Sequence, residues 1–237
     1  MKALAIDTTN LVLGVALLDN EKVIGEYITN LKKNHSVRAM PAIEALLNDC
    51  DVNPSELEKI VVATGPGSYT GVRIGVSIAK TLAWSLHIPI VGVSSLEVLA
   101  ANGRYFNGVI SPLFDARRGQ VYTGLYEYNE GKLITLNEDC NLLLTDWLEK
   151  LKGSGQKVLF LGNDVSIHKD VIQEILGEKA VIGHMTLNNP RPSELGVLGL
   201  PKEAVDVHSL VPNYIRLAEA EAKWLEQQKL DGERIGE

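Results

Sequence analysis

The stretch that most constrains this chain is Ala63-Thr64-Gly65-Pro66-Gly67-Ser68-Tyr69-Thr70-Gly71-Val72-Arg73-Ile74-Gly75. A short apolar run precedes it and apolar residues at helical spacing follow, so it reads as a strand, a tight turn and a helix start. Gly65 and Gly67 reach backbone angles closed to other residues, Pro66 fixes the turn between them, and Ser68 or Thr70 caps the helix. Such a junction aims amide N–H groups and the positive end of a helix dipole at the loop, which suits an anion. Established phosphate loops match it poorly. No lysine stands in the Gly-Lys-Ser/Thr order, and Gly65, Gly67 and Gly71 miss the dinucleotide spacing. Two readings therefore stay open: an anion cradle using Gly65, Gly67 and Ser68, or a turn that lets helix and sheet pack closely. Gly71, Gly75 and Ala79, four apart, leave one helix face very small, so another backbone can approach it within the domain or across a subunit boundary.

The 237 residues, 45% hydrophobic and 22% charged, allow one large domain or two small ones with a substantial core. No apolar run reaches the ~20 residues of a bilayer span, and Asp7 interrupts the N-terminus before a signal-peptide core forms. Cys50 and Cys140 are too few and too far apart for a disulfide scaffold. The expected location is cytoplasmic, with no membrane partner. A net charge of -7 argues against binding nucleic acid unaided, because that affinity comes from Lys and Arg meeting phosphates. Lys32, Lys33, His35 and Arg38 form a basic cluster near a helix start, readable as a solvated face or as a nucleic-acid contact.

Three antiparallel strands open the chain, 2–7, 12–19 and 22–29, with turns at Thr8-Thr9-Asn10 and Asp19-Asn20-Glu21. Asp7, Thr8 and Thr9 suit either a metal-bound phosphate or a hydrogen-bonded turn. A helix is expected over 35–50, with Pro41 disturbing its first turns. A strand over 59–64, the glycine turn, a helix over 70–87 and a strand over 90–93 follow. Ser94 and Glu97 then fit a capping box. From 109 the order recurs: strands over 109–115, 120–128 and 132–136, a helix over 145–152, a strand over 157–161 and a helix over 165–176. Two similar halves are the expectation. Asn189-Pro190-Arg191-Pro192 reads as a linker, Ser193 as the cap of a short helix to Leu200, 217–228 as a charged helix and 231–237 as a disordered tail.

Ile6-Asp7-Thr8-Thr9, the 65–75 stretch, Asp115-Ala116-Arg117-Arg118-Gly119-Gln120-Val121-Tyr122 and Pro212-Asn213-Tyr214-Ile215-Arg216 occur in that order along nearly the whole chain. Together they resemble the bacterial TsaB family of tRNA threonylcarbamoyladenosine biosynthesis proteins, within the actin-like superfamily. The resemblance implies an α/β fold of two actin-like (ribonuclease-H-like) domains, each a mixed sheet flanked by helices. The first would span 1–104 plus a returning helix at about 212–230, and the second, smaller one 105–211. It further implies a non-catalytic subunit, without cofactor, of the assembly that places a threonylcarbamoyl group on the adenosine next to the anticodon of tRNAs reading A-starting codons. Its implied partners are a TsaD-type catalytic subunit, a TsaE-type ATPase, a second copy in a homodimer, and tRNA through the complex. The implied partner surface lies on the helices 35–50 and 70–87, with His35, Arg38, Ile43, Gly71, Ile74, Gly75, Ile78 and Leu82.

The residues support the non-catalytic half of this expectation separately. Catalytic relatives of the TsaD type carry His-x-x-x-His on the helix after the strand ending at Val93, where this chain has Ser95-Leu96-Glu97-Val98-Leu99. No two of its five histidines stand three to five residues apart, so no helical metal pair exists in the sequence. Ser68 lacks the Gly-x-Ser-x-Gly context of a serine hydrolase. Asp115, Arg117 and Arg118 suit either a phosphate or carboxylate, gripped by guanidinium groups, or an ion pair that fixes a hairpin. The rival reading is an ATP-dependent small-molecule kinase of the same superfamily using Asp7, Thr8, Thr9 and the 65–71 loop.

Overall fold

The computed structural model describes residues 1–215; the charged helix expected over 217–228 and the tail beyond it lie outside the described residues. The first sheet is built from β1 (Lys2–Asp7), β2 (Val12–Asp19), β3 (Lys22–Asn30), β4 (Lys59–Ala63) and β5 (Ile90–Val93) in the order β3-β2-β1-β4-β5. The second contains β6 (Val109–Asp115), β7 (Gln120–Asn129), β8 (Lys132–Leu143), β9 (Val158–Leu161) and β10 (Ala180–Ile182) in the order β8-β7-β6-β9-β10. In each sheet the first three strands are antiparallel and the last two join in parallel, β1 to β4 to β5 and β6 to β9 to β10. Parallel neighbours need crossover helices, which sets the alternation of elements. The two halves thus share one topology, the duplicated α/β arrangement of the actin-like fold.

Five layers result. α1 (Ala39–Asp49) and α2 (Tyr69–Leu86) cover the outer face of the first sheet, burying Leu4, Ile6, Val62, Val72 and Val76 together. α3 (Ser95–Ala101) lies between the sheets: Val98 joins the inner face of the first, while Leu96, Leu99 and Ala100 pack on Ile110, Phe114 and Tyr126 of the second. A helix apolar on all sides belongs at such a centre. α4 (Leu144–Lys152) and α5 (Val165–Leu176) cover the far face of the second sheet around Trp147 and Phe160. α6 (Pro192–Gly199) returns to the inner face of the first, where Leu195 meets Ala16, Leu18 and Val61. Both faces of β1 and β4 are covered, which explains why they read as unbroken apolar runs.

Several details differ from the sequence expectation. His35–Val37 forms a separate 3₁₀ turn before α1, so Pro41 falls in the first helical turn, where its missing amide costs little. β8 runs to Leu143 rather than 136; its polar run Asn137–Asn141 still pairs with β7, across two irregularities of register. Three residues of β10 were too few to leave a periodic signal. Ser94 caps α3, accepting from the amides of Leu96 and Glu97, but the Glu97 carboxylate pairs with Lys202 at 2.6 Å instead of closing a capping box. Pro192, not Ser193, opens α6, and Arg191 precedes it without a side-chain cap. Residues 192–200, expected with the second half, pack on the first sheet. Lys59, buried at the start of β4, fixes this return by donating to the Leu200 and Lys202 carbonyls at 2.8 and 3.0 Å. Between the halves, Asp139 on β8 accepts from both Ser94 Oγ and Tyr126 Oη, and burial raises its carboxyl above the usual range.

Candidate functional site

Each half ends its first strand in an acid, and the two acids have different surroundings. Asp7 is 3% exposed. Its Oδ1 accepts from the Thr9 amide at 2.8 Å and from Thr9 Oγ1 at 2.7 Å, the geometry of a self-bonded turn. Its Oδ2 is buried without a hydrogen-bond partner. Burial pushes the carboxyl above its ordinary range, an effect that the two Thr9 hydrogen bonds and then the nearby His35 oppose.

The glycine stretch closes over this turn. Ser68 N donates to Thr9 O at 2.6 Å, and Thr8 Oγ1 donates to Gly71 O at 2.7 Å. A Cβ on Gly67 would fall 2.1 Å from Thr9 O, one on Gly71 2.2 Å from Thr8 O, and one on Gly75 2.5 Å from Thr8 Oγ1. No real Cβ is tolerated at those distances, so the three positions need glycine for close approach of the chain to itself. The amides that a phosphate would use are engaged within the protein: Gly71 N donates to Ser68 Oγ, and Gly65 N to Ser95 Oγ. The loop packs helix and sheet closely together.

In the second half the corresponding turn is open. Asp115 Oδ1 contacts His168 Nε2 at 3.0 Å, Oδ2 accepts from Arg117 N at 3.3 Å, and Asp115 N donates to Asp164 Oδ2 at 2.9 Å. Asp115 is thus partnered by an α5 histidine and by the Arg117 amide. Arg117, Arg118 and Gly119 are exposed and occupy left-handed backbone, φ 66°, 56° and 73°. Gln120 N donates to Arg117 O at 3.0 Å, so Arg118-Gly119 takes the central place that Asn-Gly commonly fills in a hairpin turn, and Arg117 adds a third left-handed residue. For an L-residue such as arginine this backbone costs about 1–2 kcal/mol.

The residues expected at a partner surface separate into two sets. His35, Ile43, Gly71 and Gly75 are buried, so the small stripe on α2 is occupied by Thr8 of the same chain and is unavailable to another subunit. His35 Nε2 lies 2.8 Å from Asn10 O, and the half-buried Arg38 donates to Thr29 Oγ1 at 2.6 Å. Ile74, Ile78 and Leu82 are half-buried on the outer side of α2. Around them stand residues the sequence reading missed: Val37, Met40, Tyr69 and Trp84 are 69%, 44%, 49% and 60% exposed. Tyr69 stacks on Tyr214 with ring centroids 5.1 Å apart, and the Arg73 guanidinium sits 5.3 Å from the Tyr69 centroid. Two clefts cross this face. One of about 400 Å³ runs between Met40, Pro41, Leu47, Pro54, Leu57 and Leu82. The other, about 450 Å³, lies among Ser36, Tyr69, Arg73, Ile74 and Ile78. The signal for this surface was present in α2, whose apolar residues exceed the one face that the core consumes.

Among the described residues no three His, Cys, Asp or Glu side chains are grouped to hold a metal ion, and no helix is long and apolar enough to cross a membrane.

A duplicated chain with an acid at the end of each first strand defines an actin-like protein, here with the first strand-end turn closed. The family model described as "TsaD: tRNA N6-adenosine threonylcarbamoyltransferase" matches residues 22–224. The tRNA threonylcarbamoyladenosine biosynthesis protein TsaB of Bacillus subtilis is 67% identical over 229 residues, covering 97% of this chain and 100% of its own length. That of Escherichia coli is 34% identical over 132 residues, 55% of this chain and 57% of its own. YeaZ from Pseudomonas aeruginosa superposes with a TM-score of 0.74 at 25% identity, over 90% of this chain and 99% of its own. The chain belongs to this family, and within it to the TsaB proteins.

Proposed function

We propose that this chain is a non-catalytic subunit of the assembly that makes threonylcarbamoyladenosine on tRNA, binding and activating a TsaD-type catalytic subunit through the outer face of α1 and α2. The observation that carries this reading is the contrast on the first half. The strand-end turn is filled by Thr8 and Thr9, while among the described residues Val37 and Met40 are exposed and Ile74, Ile78 and Leu82 partly so. Burial of a few such residues at the centre of an interface supplies most of a binding energy. The family relationship names the reaction, and the absence of the His-x-x-x-His pattern from Ser95–Leu99 fits a subunit that does not transfer the group itself. A TsaE-type ATPase and a second copy of the chain belong to the same proposal as further occupants of the assembly. Cytoplasmic location follows from tRNA as the shared substrate.

The test is sedimentation of the purified chain with a TsaD-type subunit. Wild type is expected to co-sediment with it, and Ile74→Asp to remain folded and sediment alone. Equal association of both proteins would move the contact off α2. Tight Mg-ATP binding with hydrolysis by the isolated chain would overturn the non-catalytic reading.

A further inference from the structure

Glycine follows asparagine twice in this chain, at Asn102-Gly103 and Asn107-Gly108, and both pairs lie on the connection that carries α3 into β6. Asparagine is a heat-labile residue, most of all before glycine, whose nitrogen has no neighbouring Cβ to obstruct attack on the asparagine carboxamide. The fold treats the two pairs differently. Asn102 Nδ2 donates to the Leu187 and Asn189 carbonyls, both at 2.8 Å, and its Oδ1 is buried. The Gly103 amide donates to Ala100 O at 2.9 Å. Carboxamide and attacking nitrogen are therefore both held in place. Asn107 is exposed, and among the described residues neither its carboxamide nor the Gly108 amide makes a hydrogen bond.

Gly108 is itself fixed by the fold. It takes φ 151°, and a Cβ there would fall 2.6 Å from Lys157 O and 2.7 Å from the Phe106 ring. The next amide, Val109 N, donates to Lys157 O at 3.0 Å, where β6 begins to pair with β9. Close packing at the start of a central strand thus requires glycine after an asparagine that nothing holds.

We infer that Asn107 is a site of spontaneous covalent modification, deamidation through a cyclic imide formed with Gly108, and that the contacts of Asn102 protect the other pair. Gly108 N gives up its proton and attacks Asn107 Cγ. The N–Cγ bond forms, the Cγ–Nδ2 bond breaks, and Nδ2 leaves with the proton as ammonia. Water then opens the five-membered imide at either carbonyl. Breaking N–Cγ leaves aspartate; breaking the bond from N to the main-chain carbon of residue 107 leaves isoaspartate, whose main chain runs through Cγ. One water enters and one ammonia leaves, so no oxidant, reductant or further reactant is needed. Both products add a carboxylate to a chain of net charge -7, and isoaspartate also inserts a methylene into the main chain two residues before β6. The inference is independent of the tRNA-modification reading.

The experiment holds the purified full chain at physiological temperature and pH, folded and in urea, and follows both pairs by peptide mass spectrometry with fragmentation that separates aspartate from isoaspartate. In the folded chain, product is expected at Asn107 at least tenfold faster than at Asn102. In urea the two rates are expected to converge, because only the fold distinguishes the pairs. Asn107→Gln, whose longer side chain would have to close a six-membered ring, is expected to remove the product while leaving the melting temperature unchanged. Equal rates at the two pairs in the folded chain, or faster reaction at Asn102, would overturn the inference. So would a folded chain that stays intact at Asn107 while the same residue reacts in urea, since the loop would then protect the pair it is argued to leave open.

Discussion

The first half of this molecule has closed its strand-end turn and the second has left its own open. Asp7 and Asp115 occupy the same topological place, at the ends of β1 and β6. Around Asp7 the chain packs so tightly that Gly67 and Gly71 are needed to admit the Thr8–Thr9 backbone and Gly75 to admit the Thr8 side chain. Around Asp115 a histidine holds the acid and two arginines project outward. A duplicated fold supplies two equivalent crevices, and here the sequence has turned one into core and kept the other as surface. The partly exposed apolar residues of the first half lie instead on α1 and α2.

The largest expected effect tests the closure. Gly71→Ala puts a Cβ 2.2 Å from a backbone oxygen and is expected to cost about 3 kcal/mol or more. Gly119→Ala, in the open turn, has no neighbour closer than 4.0 Å and pays only for its positive φ, about 1 kcal/mol. Urea unfolding of both variants checks the difference; equal losses would remove the distinction between the halves.

Next comes the helical face. Ile74→Asp is expected to lower folding stability by about 1–2 kcal/mol, because the side chain is partly buried, which leaves the chain folded. The same change should weaken association with the catalytic subunit by about 2 kcal/mol or more, read by calorimetric titration. Arg117→Gly relieves the left-handed strain and is expected to raise stability by about 0.5–1 kcal/mol. A loss of stability instead would mean that the arginine holds the turn together.

The smallest effect concerns Asp7. Its carboxyl titrates higher folded than unfolded, so the stability associated with that shift is present below the unfolded pKa of about 3.8 and is lost as pH rises through the folded value. Asp7→Asn escapes this loss. The variant is expected to melt about 2 °C above wild type at neutral pH, with the advantage shrinking as pH falls toward 3.8. An advantage that grows on acidification would contradict the assigned direction.

Much of this was legible in the sequence where local pattern and tertiary fate agree. β1, β5 and α5 are found where the apolar runs and helical spacing placed them, because burial on both faces of a central strand, or on one face of a helix, writes itself into neighbouring residues. β8 was cut short because Asn137–Asn141 is polar like a loop, and its pairing with β7 is set by a partner strand, not by its own composition. The closure of the glycine loop was beyond reach for a related reason. A glycine needed to admit a phosphate and one needed to admit Thr8 O look alike until residues some sixty positions apart are brought together. For the same reason Gly71 and Gly75 stand beside Ile74 and Ile78 in the expected partner surface, whereas in the fold the two glycines are buried and the two isoleucines stay partly exposed. The meeting of Asn30, Asn163 and Asn189 between the halves is likewise encoded by no spacing.

The central claim is that this chain serves tRNA modification through its α1–α2 face without chemistry of its own. Threonylcarbamoyladenosine formation on purified tRNA, with the partner proteins and threonylcarbamoyl donor supplied, tests it most directly. Product is expected with the wild-type chain, at most a trace without it or with Ile74→Asp, and none from the chain alone. Full product in the absence of this chain, or undiminished product with Ile74→Asp, would contradict the account.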